Sequence, residues 1–353
     1  FISCSIRCAD SYAFFVNVPV CATLLLLPFV GLPHEKPNWE YLTQADWAGI
    51  LGMILGLGGL TVVLEEGHRE EWFDSSLIRW LTLITVIGFA SLIYGQLYAS
   101  KPVLKLRLLL SRQFGSVAVM ALALGMVMYG SIYVIPQFLA IISDYNAFQT
   151  GLVIFWMGVP AFLLMPVLPF MIRRVDIRIA VGAGMLLMAL SCFVSTSLTA
   201  ESGGAVFTES QLIRGVGMIL AMMFLNQATV ASVAKDEAGD ASGIFNAARN
   251  LGGSFALAGL ASFQDQRTWH HSRRMEETLN ANSVSLQSYL DSLARTFGGM
   301  DEAMAVLDRT IQREAFVMTY NDVFFVMGLL TVITVPLVVF LKPLPKNVSL
   351  SMH

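Results

Sequence analysis

Runs of apolar residues divide the chain, and the polar positions fall mostly between them. Nine such runs can be drawn, at about 12–32, 46–65, 77–98, 115–139, 150–171, 178–199, 209–234, 243–263 and 321–341. Each has the length of a helix that crosses a hydrocarbon layer of about 30 Å at about 1.5 Å per residue. None alternates apolar and polar positions over about ten residues, as a membrane β-barrel strand does. The pattern predicts an all-α integral membrane protein. Most connections are short, so consecutive spans are expected to be antiparallel neighbours. The exception is 264–320, a stretch of mixed polarity. Within it, 283–296 and 301–320 read as amphipathic helices separated by Gly298 and Gly299. Leu286, Leu290 and Leu293 line one face; Met304, Leu307 and Ile311 line another. The pair reads as a hairpin cap packed on the membrane domain, or as a docking surface for a partner.

Polar residues inside the apolar runs carry the functional expectations, because a polar side chain in lipid should face protein or a wetted cavity. Tyr129, Tyr133 and Gln137 recur at four-residue steps and share one face of the 115–139 helix. They read as one wall of a water-filled cavity, or as tyrosines that pack and hydrogen-bond locally. Arg214 stands in the 209–234 run, with Met218, Met222 and Asn226 following on its face. Methionine-lined faces suit varied apolar ligands and also fill ordinary cores. Asn246, Arg249 and Asn250 lie about a turn and a half into the 243–263 run. Arg249 is expected to snorkel, or to pair with Asp236, Glu237 or Asp240 in the preceding loop. Pro160, Pro166 and Pro169 should bend the 150–171 span. Gly52 and Gly56, and Ala248, Gly252 and Ala256, have the spacing of close helix contacts.

Composition agrees: 56% of residues are hydrophobic and 13% charged, against about 25% charged in soluble domains. There is no polybasic tract, so nucleic acid is not an expected partner. Cys4 and Cys8 form a CxxxC without a second pair or a nearby histidine, which gives little support to a disulfide or metal site. No metal or other cofactor is expected. HExxH, GxSxG and GxxxxGK[ST] are absent, so no catalytic residues are assigned and the chain is not expected to be an enzyme. His270 and His271 read as surface residues, and Glu65, Glu66, Glu70 and Glu71 as a solvated run. One set of short loops holds Lys36, Lys101, Lys105, Arg107, Arg112, Arg173, Arg174, Arg178, Lys235, Lys342 and Lys346; the opposite set holds Arg7, Arg69 and Arg79. That bias predicts a cytoplasmic C-terminus and places 264–320 outside. With nine spans, residue 1 would then start outside, an expectation of missing N-terminal spans.

Several stretches resemble one family. AFFVNVPV at 13–20 is similar to the sixth-span signature of fourteen-span major facilitator drug:proton antiporters of the EmrB/QacA type. DWAGILGMILGLGGLTVVLEEG with EEWFDS, within 46–75, resembles their seventh span and the loop after it. PVLKLRLLLSRQF at 102–114 resembles the approach to the ninth span, Arg214-Gly215 the start of the twelfth, and NAARNLGGSFALA at 246–258 the thirteenth. The resemblance covers nearly the whole chain from about residue 12. It implies an atypical segment at 1–11, the last helix of an N-terminal half at 12–32, and two inserted helices with a cytoplasmic linker at 33–114. It further implies a six-helix C-terminal half at 115–342 and a cytoplasmic tail at 343–353. By the same analogy Trp156, Met222 and Asn226 join Tyr129, Tyr133 and Gln137 in the substrate cavity. Arg173, Arg174, Asp176 and Arg178 would form the cytoplasmic gating loop, although Pro169 and Phe170 stand where the family commonly has Gly and Arg. Arg214 and Arg249 are the intramembrane charges.

What the resemblance implies is multidrug efflux from a bacterial inner membrane. An amphipathic small molecule would be exported by alternating access in exchange for protons, toward a periplasmic adaptor and outer-membrane channel. The family's first five spans, its proline–glycine antiporter motif and its N-terminal acidic residues are not in this sequence. An inactive remnant or a non-transporting assembly partner is therefore the alternative.

Overall fold

A computed structural model describes residues 15, 17–31, 46–98, 104–279 and 283–342. Cys4, Cys8, Lys36, Lys101 and the tail 343–353 lie outside the described residues, as do the side chains of 28–31 and of Arg173. The chain divides into two units, 1–45 and 46–353. In the first, α1 (Asn17–Gly31) is wholly apolar apart from Asn17 and Thr23. Thr23 spends its hydroxyl on the carbonyl of Pro19 one turn back.

In the second unit every described regular element is helical. α2 (Trp47–Met53) starts at Asp46, whose Oδ1 accepts from the Gly49 amide at 2.7 Å. It passes through a π turn, Ile54–Gly58, into α3 (Gly59–Gly67). This broken helix packs on α4 (Ser76–Tyr98). The contact is backbone on backbone: a Cβ at Gly52 would strike Leu92, and one at Gly88 would strike Gly56. Without side chains the axes come close enough for dense dispersion contact, which holds helices together where lipid removes the hydrophobic drive.

The rest is a bundle of α5 (Arg112–Ile142), α6 (Ala147–Leu164), α7 (Leu168–Arg174), α8 (Ile177–Val194), α9 (Gly204–Ala231), α10 (Ala238–Thr278), α11 (Val284–Phe297) and α12 (Met300–Thr334). α5 packs on α10, α8 on α9, α9 on α6, and α12 on α10, α8 and α5. Phe138, Phe207, Tyr320 and Phe324 interlock at its centre, with Phe138 edge-on to Phe207 at 5.5 Å and to Tyr320 at 5.2 Å. Seven helices, counted among the described residues, are long and apolar enough to cross a membrane. The outward faces carry bare Trp80, Leu97, Phe155, Phe162 and Leu163. Apolar surface of that extent is stable against lipid and not against water.

Two boundaries differ from the pattern-based expectation. The 150–171 span is not one bent helix. Asn146 and Gln149 form a reciprocal cap at the start of α6. The helix stops at Leu164, and Pro166 occupies the turn before α7. Proline there removes an amide and clashes with the preceding turn, which interrupts the helix. The stretch 264–320 is not a loop with two separate helices. α10 runs unbroken for 41 residues to Thr278, about 60 Å. The expected 301–320 helix and the last span are one helix of 35 residues. No proline or glycine falls at 264–278 or at 301–327, so nothing ends either helix when its surroundings change from lipid to water. α11 is the expected amphipathic helix, capped by Ser283 and ended by Gly298 at φ 96°. It packs on the extension of α12.

Polar staples hold the bundle at the end where α5 terminates. Arg313 of α12 donates to the carbonyls of Ile142 at 2.9 Å and Ala200 at 2.7 Å. Asn321 exchanges two hydrogen bonds with the backbone of Leu198. Tyr145 accepts from the amide of Gly204. Each satisfies a backbone group that a helix end or turn would otherwise leave open.

Candidate functional site

α5, α9 and α10 meet along the seam that carries the expected cavity residues. Small residues set the spacing. A Cβ at Gly125 of α5 would run into the Arg249 carbonyl of α10, and one at Gly252 into the Leu122 carbonyl. Gly252 belongs to the small-residue spacing read from the sequence; Gly125 was not singled out.

On that frame Tyr129 lays its ring over Gly253 and donates its hydroxyl to Asn250 Oδ1 at 3.3 Å. Two turns on, Gln264 of α10 donates to Gln137 Oε1 at 3.1 Å. Tyr133 lies between them with 38% of its surface exposed. The tyrosine stripe therefore faces α10. Tyr129 and Gln137 are tied to it, and Tyr133 makes no described hydrogen bond. Across the seam Met222 and Asn226 of α9 are half-buried. Asn226 donates to the Met222 carbonyl at 3.1 Å. Trp156 is on α6, 42% exposed, and no described hydrogen bond or ring contact joins it to the others.

Arg249 does not take the expected carboxylate partner. Its Nη1 lies 3.6 Å from the sulfur of Met222, and its Nε is buried without a hydrogen-bond partner among the described residues. No described ion pair joins it to Asp236, Glu237 or Asp240. The reason is distance: Glu237 precedes it by twelve residues, about 18 Å along the axis, more than an arginine side chain spans. Glu237 instead binds Lys105 at 2.9 Å. That hydrogen bond, with the nearby charges of Glu237, Asp236 and Asp240, raises the Lys105 pKa. Arg214 is 1% exposed. It donates through Nε to Ser191 at 3.2 Å and through Nη1 to Gln211 at 2.9 Å. It also lies over the Phe324 ring at 6.0 Å, so it ties α9 to α8 and α12.

In the expected gating loop, Asp176 accepts from the amide of Arg178 and caps α8. Arg178 Nε donates to the Leu341 carbonyl at 2.8 Å. Arg174 sits 4.3 Å from the Phe170 ring, so the aromatic that departs from the family pattern gains a cationic neighbour.

Sequence reasoning missed three contacts. Ser254 of α10 donates to Glu65 of α3 at 3.0 Å. His68 approaches Asp265 at 3.2 Å. These join the broken α2–α3 helix to α10, so the acidic run is not only solvated surface. Third, Asp322 of α12 takes Arg267 at 2.6 Å and His271 at 2.7 Å, both from α10. The adjacent histidines differ accordingly: His271 is nearly buried and His270 is open. Asp322, a carboxylate two residues into an apolar run, was the available signal. No group of side chains suited to a metal ion occurs among the described residues. An apolar crevice of about 180 Å³ opens between α5, α10 and α12, lined by Met126, Phe255, Gly259, Phe263, Met327 and Leu330. None of the expected cavity residues lines it.

Long apolar helices that bury polar and cationic side chains among them define a multi-pass membrane protein. The Major Facilitator Superfamily model matches residues 11–257, and the chain belongs to that superfamily. It is 25% identical to the colistin resistance protein EmrB of Acinetobacter baumannii over 335 residues. It is 25% identical to the multidrug export protein EmrB of Escherichia coli over 338 residues. In both cases the match covers 94% of this chain and 65% of the relative. The multidrug export protein EmrB of Haemophilus influenzae is 28% identical, over 91% of this chain and 64% of its own. The chain spans just under two thirds of the length of these relatives.

Proposed function

We propose that this chain acts in a bacterial inner-membrane exporter of drugs and other amphipathic small molecules, driven by alternating access and proton antiport. Its likeness to multidrug export proteins along 94% of its length carries the reading. The seam of polar side chains on otherwise apolar helices supports it. In this reading α2–α4 are the inserted pair, and α5–α12 are the C-terminal half of the carrier. Tyr129, Tyr133, Gln137, Trp156, Met222 and Asn226 contribute to the substrate path. Arg174, Asp176 and Arg178, with Arg173, form the gating loop on the cytoplasmic side, where the C-terminus also lies. The tie from Arg178 to Leu341 suits a loop whose movement must reach the segment that follows α12. A periplasmic adaptor leading to an outer-membrane channel would dock on the α11–α12 extension, where Tyr289, Phe297, Met300 and Met304 are exposed.

The test is accumulation of a fluorescent amphiphile in bacteria stripped of their own efflux pumps. Cells making this chain should hold less dye than vector cells, and a protonophore should abolish the difference. Equal accumulation with the chain present in the membrane contradicts transport by this chain and favours the assembly-partner reading.

A further inference from the structure

Arg249 is a cation in an apolar span with part of its guanidinium sealed from water and no described carboxylate within ion-pair distance. A buried cation is ordinarily paired, because an uncompensated charge in a low-dielectric interior is costly. Its near neighbour is the Met222 thioether, a soft and weak acceptor. The loop carboxylate of Glu237 is engaged by Lys105. Arg214 makes the contrast. It is also intramembrane and also without a described carboxylate, and its Nη2, like Arg249 Nε, is buried without a described hydrogen-bond partner; but it is fully enclosed, with Nε and Nη1 bonded to Ser191 and Gln211. Arg249 is only half-buried, so part of it stays open to an incoming group.

Arg249 stands among a fixed backbone, methionine side chains and neutral hydrogen-bonding groups. Its backbone is fixed, because α5 presses against the Arg249 carbonyl at Gly125. Met222 and Met218 supply an adaptable apolar wall about one and two turns from Asn226. Asn226, Asn250 and the Tyr129 hydroxyl are neutral hydrogen-bonding groups on the three helices that meet there.

We propose that Arg249 holds the anionic end of an amphipathic substrate, with its tail against the methionine face of α9, and so determines specificity for carboxylates and like anions. This rests on the export reading above. It goes further by naming the charge of the substrate and the residue that selects it. A carboxylate offers two oxygens to the guanidinium fork and supplies the counter-charge that the described fold does not.

The experiment is equilibrium binding to the full chain, purified in a neutral detergent, with dodecanoate, dodecanol and dodecyltrimethylammonium as probes sharing one tail. Radiolabelled dodecanoate is expected to bind more tightly than dodecanol competes, and dodecyltrimethylammonium is expected to compete least. Arg249→Gln should weaken dodecanoate about tenfold, a charge-assisted hydrogen bond's worth. It should weaken dodecanol far less, and an unchanged monodisperse size-exclusion peak and melting temperature report that the variant is folded. Arg249→Lys should recover part of the loss. Three results each overturn the proposal: no dodecanoate binding by the unaltered chain, equal binding of the three probes, or undiminished dodecanoate binding in Arg249→Gln. Binding needs no turnover. Charge-selective binding without efflux therefore contradicts export alone, while efflux without charge selection contradicts the role of Arg249 alone.

Discussion

At Asp322 a single carboxylate holds two side chains of α10, Arg267 and His271, at a point where both helices leave the apolar part of the bundle. The pairs are partly exposed, so their strength lies between that of surface and buried ion pairs. Asp322→Ala should cost about 1–2 kcal/mol and lower the melting temperature of the purified chain. An unchanged melting curve would show that the cluster is ornamental. Lys105 gives a pH signature. Its pKa is raised through Glu237, so the stabilisation is complete below the ordinary lysine range. It fades as pH climbs through the raised value. Unaltered chain should therefore outlast Glu237→Gln at neutral pH and lose that advantage in strong alkali, as followed by thermal melts. Residue identity alone marked Arg214 and Arg249 as unusual, because charge is rare in apolar runs. It did not reveal their partners. Pairing depends on which neighbouring helix comes within reach, and counting along one helix cannot supply that.

At the scale of the element, hydrophobic runs located the helices and failed at their ends. Hydropathy registers the change from lipid to water, whereas a helix ends at a cap, a proline or a lost hydrogen bond. α10 and α12 pass that change without any such signal and continue side by side, with Thr268 3.1 Å from Thr319. Cysteines at these two positions, Thr268→Cys with Thr319→Cys, should form a disulfide under mild oxidation. Failure to cross-link in the membrane-embedded chain would mean that the extensions do not run together. The small-residue spacing at Ala248, Gly252 and Ala256 was legible as a contact face, but its partner was not. Gly252→Val should prevent α5 and α10 from closing and cost about 2 kcal/mol or more, since the clash is with backbone. Loss of the monodisperse peak in size-exclusion chromatography would register it.

At the scale of the whole molecule, the multi-pass all-α class was legible because bilayer thickness sets span length and lipid forbids unpaired backbone. The residues of the seam were legible too, as polar positions at helical spacing. Their mutual arrangement was not. The tyrosine stripe could face water or a helix equally well by periodicity, and in the fold it faces α10, with Tyr129 and Gln137 bonded and Tyr133 left open. The proposed function requires that water reach that seam between α5, α9 and α10 while the outer faces stay in lipid. A thiol reacts with a water-borne maleimide only where water admits the thiolate. The direct measurement is maleimide labelling of Tyr133→Cys, Met222→Cys and Phe162→Cys, each in a cysteine-free background and in native membranes. The account predicts labelling at 133 and 222, slowed by dodecanoate at 222, and none at the lipid-facing position 162. Equal inertness at 133, 222 and 162 would contradict it.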